Sequence, residues 1–148
     1  MTDHLPQVLK ALDDARQSAI ERLFELIRID SVSTDPAYRA RCRAAAEWCA
    51  GALAEIGFEA SVRPTKGHPM VVGHAQAKGA NGKRRPHVLF YGHYDVQPAD
   101  PVELWHSPPF EPVRKKDKDD VERLYGRGAA DDKGQLMTFV EAARAFAL

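Results

Sequence analysis

The stretch VLFYGHYDVQP, residues 88–98, decides how this chain reads. Four apolar residues, Val88, Leu89, Phe90 and Tyr91, run into Gly92. His93 and Asp95 follow two residues apart, and the chain then enters a loop studded with prolines. An unbroken apolar run predicts a strand over residues 87–92 that is covered on both faces. Residues i and i+2 of a strand face the same side. His93 and Asp95 should therefore stand together at its carboxyl end, where open α/β sheets place their ligand crevice. A neutral imidazole there suits zinc. A carboxylate two residues on can accept the other ring N–H or hold a neighbouring group. A surface turn with incidental polar residues fits the same letters.

Outward from this stretch, the apolar spacing marks the other elements. Val8, Leu12, Ala15, Ala19, Leu23 and Ile27 recur at three and four, predicting a helix over about residues 5–29. Asp35 can cap the next helix, Pro36 suits its first turn and Gly57 ends it. Its inward face carries Cys42, Ala45, Trp48, Cys49, Ala52, Leu53 and Ile56. Short strands are expected over 58–62 and 70–75, with a tight turn at Asn81-Gly82. Pro98, Pro101, Pro108, Pro109 and Pro112 alternate with Leu104, Trp105 and Phe110, which predicts an ordered loop. The charged run KKDKDD, residues 115–120, reads as a solvated turn. A strand over 121–125 is broken by Gly126 and Gly128. A last helix starts near Lys133 with Leu136, Met137, Val140 and Ala143 inward, and Glu141 on its solvated side.

These elements predict one α/β layered domain, a mixed sheet flanked by helices, with no internal repeats. The final helix runs into EAARAFAL without a Gly or Pro stop. The expectation is therefore a domain incomplete at its C-terminus, a truncated product.

Composition narrows the function. Lys+Arg and Asp+Glu are 21 each, so net charge argues for neither nucleic acid nor an anionic membrane surface. No apolar run approaches the ~20 residues of a membrane span, and the start, MTDHLPQVLK, lacks the apolar core of a secretory signal. Cys42 and Cys49 lie about 10 Å apart along a helix axis, too far for a disulfide. Two buried thiols fit a cytoplasmic protein.

A second constellation is GRGAADDKGQ, residues 126–135. Two glycines allow a tight turn, and two acids then open a helix, whose N-terminus favours their ionised form. An ionised aspartate with two free oxygens can bridge two cations. An ordinary helix cap at Asp131 or Asp132 is the plainer alternative. A phosphate loop fails on detail: the dinucleotide pattern needs glycine where Asp131 stands, and here Lys133 precedes Gly134 rather than following it. His4, His68, His74, His87 and His106 offer weaker signals, with His106 a conceivable substrate contact.

Together, GHYDVQPADPVELWHSPPFEP and LYGRGAADDKGQ resemble the M20 family of metallopeptidases, and within it the dipeptidase, carnosinase-like branch. The resemblance spans almost the whole chain. It implies a zinc-peptidase-like catalytic domain with two divalent metal ions, zinc foremost, with Mn2+ or Co2+ as alternatives. His93 matches a ligand of one metal, Asp131 the carboxylate that bridges both, and Asp95 the acid assigned as catalytic. Asp132 matches no usual ligand, and the bond between the two acids is expected to be cis. The implied reaction is hydrolysis of a small peptide by metal-activated water, with a glutamate as general base. That glutamate, the remaining ligands, a distant histidine and the lid or dimerisation domain are expected beyond Leu148. The 148 residues are accordingly expected to be the inactive N-terminal portion of a homodimeric, cytoplasmic dipeptidase without nucleic-acid or membrane partners. The alternatives are an N-acyl-amino-acid deacylase of the same family and a non-catalytic metal-binding or scaffold fragment.

Overall fold

The structure, a computed structural model, describes residues 4–76 and 86–147. The element order is α1 (Leu5–Asp14), α2 (Arg16–Ile27), a 3-10 turn (Pro36–Tyr38), α3 (Arg39–Glu55), β1 (Glu59–Arg63), β2 (Met70–His74), a 3-10 turn (Val102–Leu104), β3 (Val113–Lys116), β4 (Glu122–Tyr125) and α4 (Lys133–Phe146). The tight turn expected at Asn81-Gly82 lies outside the described residues.

The core forms where α2, α3 and α4 meet. Leu23, Leu26 and Ile27 pack with Ala45, Cys49, Ala52, Met137 and Val140. Both cysteines are free and buried, as the spacing predicts. Burial pushes the Cys49 thiol up to about 12, so it stays protonated and inert. Trp48 is only half-buried at the edge of this core, and its indole N–H donates to Glu25.

Several expectations needed correction. The first helix is two helices. Ala15 takes φ −90° and ψ 0° between them, and the Ser18 hydroxyl donates to its carbonyl at 2.8 Å. Such back-bonding competes with the helical ladder and bends helices, whereas the apolar spacing runs through the bend unchanged. Asp35 does cap the next segment, accepting from Ala37 N–H at 2.9 Å, and Gly57 leaves α3 at φ +88°.

The α/β class holds, but the described strands form two separate antiparallel pairs, β1–β2 and β3–β4, rather than one mixed sheet. A single parallel bridge, Val32 with Val96, lies outside them. The run at 88–91 is not a ladder strand among the described residues. Val88 is 89% exposed, Leu89 95% and Tyr91 82%. Phe90 alone is partly covered, stacking on Phe139 of α4 with ring centroids 4.0 Å apart. Apolar patterning records what a segment can bury, and needs a partner strand to realise it. β3 was not foreseen, because the strand's own Lys115 and Lys116 read as part of a solvated charged turn. The acidic end of the same run is a turn, with Asp120 at φ 60°.

Glu141 is also corrected. It is buried, and both its oxygens accept from Arg22 of α2, at 2.7 and 2.6 Å. An arginine fork on a facing helix turns an apparently solvated acid into an interior one.

The proline loop is ordered by its neighbours. Trp105 Nε1 donates to Ala99 O at 2.8 Å, and the Asp100–Pro101 bond is cis. Arg127 binds the loop twice, through its backbone N–H to Pro109 O (2.7 Å) and its Nε to Gln97 O (2.9 Å). The loop therefore docks on the turn that carries the two aspartates.

Candidate metal centre

Two chain segments converge here. One is the end of the 88–92 run, which delivers His93, Tyr94 and Asp95. The other is the turn from Gly126 to Asp132 that leads into α4. Gly128 shapes that turn, and Gly134 lets the start of α4 pack against it. Gly128 sits at φ +89°, where a Cβ would stand 2.8 Å from Val96 Cγ1, and a Cβ on Gly134 would strike Ala129 O at 1.9 Å. The Asp131–Asp132 peptide is cis, as the resemblance implied.

His93 is gripped at both ring nitrogens. Nδ1 lies 3.1 Å from the Asp95 carbonyl and 3.2 Å from its carboxylate Oδ1. Nε2 lies 3.2 Å from Asp131 Oδ1, and the His93 backbone N–H donates to Asp132 Oδ2 at 2.9 Å. Burial pulls the imidazole pKa down. The Asp95 carbonyl and carboxylate, followed by Asp132 and Asp131, outweigh it and hold the pKa above the ordinary 6.5.

Asp132 stands at the N-cap of α4, yet its side chain makes no capping bond there. The carboxylate is spent on the His93 backbone instead. This disposes of the ordinary-cap alternative for Asp132 and gives it a positioning contact that the sequence did not disclose. Asp131 turns outward, its side chain 77% exposed, leaving carboxylate oxygen free for another contact.

The arrangement fits a divalent cation. One ligand atom from each of His93, Asp131 and Asp132 lies within 4.8 Å of the others. Two donor atoms about 2.0–2.1 Å from one tetrahedral ion stand roughly 3.3 Å apart, and the His93–Asp131 separation of 3.2 Å matches that. With Nδ1–H directed at Asp95, the Nε2 lone pair faces a carboxylate. That contact is favourable only when a proton or a cation sits between them.

Beside His93 and Asp95 opens an apolar cleft of about 740 Å³, lined by Trp48, Phe90, Leu136 and Phe139 among others. Of the weaker histidines, His68 Nε2 meets Ser33 O at 2.8 Å and His74 rings His87 edge-on. His106 is exposed in the loop, and none of these joins the cluster among the described residues.

Lys133 was missed. Its side chain is 0% exposed, and its ammonium donates to Leu26 O at 3.0 Å and Ile29 O at 2.6 Å. The signal was present: Lys133, Met137 and Val140 share the i, i+4, i+7 spacing of the inward face of α4. Ser31, also 0% exposed, carried no such signal.

Comparison with known proteins bears on the family and the fold. Residues 89–147 match the family described as Peptidase family M20/M25/M40. The Cys-Gly metallodipeptidase DUG1 of Candida albicans is 32% identical over 95% of this chain and 30% of its own length. The succinyl-diaminopimelate desuccinylase of Burkholderia ambifaria is 42% identical, but over 64% of this chain and 23% of its own. The solved dipeptidase Dug1p from Saccharomyces cerevisiae superposes with a TM-score of 0.81 and 28% identity, covering 99% of this chain and 32% of that one. Human carnosine dipeptidase 1 gives a TM-score of 0.82 and 25% identity, over 99% and 31%. The chain thus spans under a third of the length of the relatives it matches. Both segments of the candidate cluster lie inside the matched region, and the described fold is similar to that of the solved dipeptidases: residues 89–147 match peptidase family M20/M25/M40, and the chain as a whole is M20 dipeptidase-like.

Proposed function

We propose that this segment contributes half of the metal centre of a hydrolase that cleaves dipeptides or other small peptides. The observation that carries the reading is the pairing of His93 Nε2 with Asp131 Oδ1 at 3.2 Å, while Asp95 engages Nδ1. His93 and Asp131 are the proposed ligands, and Asp95 is the proposed catalytic acid. The cofactors are two divalent ions, zinc foremost. When bound, such ions supply Lewis acidity, polarising a carbonyl and acidifying water.

The chain's own residues hold and orient the site. Asp95 accepts a hydrogen bond from Nδ1–H, which selects the tautomer with Nε2 free and raises its basicity. Asp132 holds the His93 backbone, and the exposed Asp131 keeps an oxygen available to a second ion. The apolar cleft beside His93 offers a small substrate a partly dehydrated bed. Proton transfer from water needs a base within hydrogen-bond reach. Among the described residues no glutamate joins the cluster, and Asp95 is committed to the imidazole. The 148 residues by themselves are therefore proposed to bind metal without turnover.

The dipeptidase likeness extends over 95% of the chain and the desuccinylase likeness over 64%, which favours peptide over N-acyl substrates. Balanced charge supports neither a nucleic-acid nor an anionic-membrane partner, and no helix among the described residues is long and apolar enough to cross a membrane. A cytoplasmic homodimer is the proposed parent. The test is to assay the longer protein and the 148-residue chain with Zn2+ against Cys-Gly, carnosine and N-succinyl amino acids. Dipeptide hydrolysis by the longer protein alone is expected. Exclusive cleavage of the N-succinyl substrates moves the reading to the deacylase, and hydrolysis of none of them leaves a metal-binding scaffold.

A further inference from the structure

His93 and Asp131 belong to segments 38 residues apart, and something must set their register to within fractions of an ångström. Both segments are tied to one strip of chain, residues 26–33, where α2 ends. On one side, the Lys133 ammonium donates to Leu26 O at 3.0 Å and Ile29 O at 2.6 Å. On the other, the Ser31 hydroxyl donates to Tyr94 O at 2.7 Å, between His93 and Asp95. The backbone completes the second tie: Val96 N–H donates to Ser31 O (2.9 Å) and Ser33 N–H to Val96 O (3.2 Å). Lys133 and Ser31 are both 0% exposed.

A fully buried lysine is an expensive way to fill space, because an apolar side chain of similar volume would avoid desolvating a charge. Two directional bonds to carbonyls at the C-terminal end of a helix, where the dipole favours a cation, offset that cost and fix the orientation of its stem. The stem packs beside Gly128, where a Cβ would lie 3.3 Å from Lys133 Cδ. The lysine therefore locks the turn that precedes it, Gly128 through Asp132.

We propose that Lys133 and Ser31 are positioning residues of the metal centre, registering Asp131 and His93 against each other through the 26–33 strip. Neither touches the ion. This inference rests on the metal-ligand reading above and adds a cause for its geometry. It predicts that removing either tie weakens the metal in a chain that is still folded.

The test uses the 148-residue chain and its Ser31→Ala, Lys133→Met and His93→Ala variants. Zn2+ affinity is measured by competition with a chromogenic chelator, and the Co2+ form is followed by visible absorption. Measurements are made at a temperature where far-UV circular dichroism shows parental helix content. Ser31→Ala and Lys133→Met should each lower Zn2+ affinity by about 10-fold or more, the range of lost outer-shell contacts, and change the Co2+ spectrum. Zn2+ affinity and a Co2+ spectrum unchanged in folded Ser31→Ala, with the parent still dependent on His93, overturn this inference and leave the ligand reading standing. Ser31→Ala removes only a hydroxyl and decides the matter even if Lys133→Met fails to fold. Affinity indifferent to His93→Ala overturns the ligand reading and this inference with it.

Discussion

Nε2 of His93 stands 3.2 Å from Oδ1 of Asp131, a carboxylate from a different segment, while Nδ1 of the same ring is held by Asp95. A ring so gripped has one open valence, and it points at an anion. Substituting either residue of the pair should therefore cost more metal affinity than any outer-shell change. His93→Ala and Asp131→Asn are each expected to weaken Zn2+ beyond about 100-fold, above the usual outer-shell range, with titration calorimetry as the check. Asp95→Asn should weaken Zn2+ more mildly, by about 10-fold, because Asp95 meets the ring at Nδ1 and is not a proposed ligand.

Protons compete with metal for Nε2, and the neighbouring carboxylates hold the His93 pKa above 6.5. Zn2+ affinity should accordingly begin to fall already above pH 6.5 as the solution is acidified, as protons occupy the ligand. For the metal-free chain the sign is opposite. A raised folded pKa contributes stability that is fully present below the unfolded value of 6.5 and is lost as pH rises through the folded pKa. The pH dependence of denaturation midpoints with and without Zn2+ checks both signs, and His93→Ala should flatten both.

Arg22 and Glu141 join α2 to α4 through two hydrogen bonds, with side chains 21% and 10% exposed. Breaking such a pair from one side leaves the other charge largely buried. Glu141→Gln should destabilise by about 3 kcal/mol, while the double change Arg22→Met with Glu141→Leu should cost less than Glu141→Gln alone. Urea denaturation midpoints for these variants and for the single changes Arg22→Met and Glu141→Leu measure this, and additivity of those two single changes would count against a coupled pair.

Asp117 closes the β3–β4 hairpin. It accepts from Val121 and Asp119 N–H, each at 2.9 Å, and pairs with Arg123. The Arg123 hydrogen bond first, then the Val121 amide, holds its carboxyl below the ordinary 3.8. Its contribution is present above pH 3.8 and lost as pH falls through the lower folded pKa. The Asp117 carboxyl resonance should titrate below 3.8, and Asp117→Asn should speed amide exchange in the hairpin while leaving α4 unchanged.

Local patterning made much of this chain legible. The periodicity of α3 and α4, the Asp35 cap and the Gly57 stop follow from interactions within a few residues, and the structure shows each. His93, Asp95 and Asp131 were legible as candidates because their spacing is local to each motif. Glu141 and Lys133 were not read correctly, since each is defined by a partner more than 100 residues away. The run at 88–91 misled for a related reason: its apolar letters report a capacity for burial, and no strand pairs with it among the described residues.

The amino-acid sequence by itself therefore determined α3 and α4, the two motifs and the chemical character of the cluster, because helical period, turn chemistry and ligand type are properties of neighbouring residues. Only the tertiary structure decided that Asp132 spends its carboxylate on the His93 backbone rather than on a helix cap, and that Lys133 and Ser31 bind one strip from two sides. Those contacts join atoms distant in sequence, and their formation depends on α2, α3 and α4 closing around a shared core.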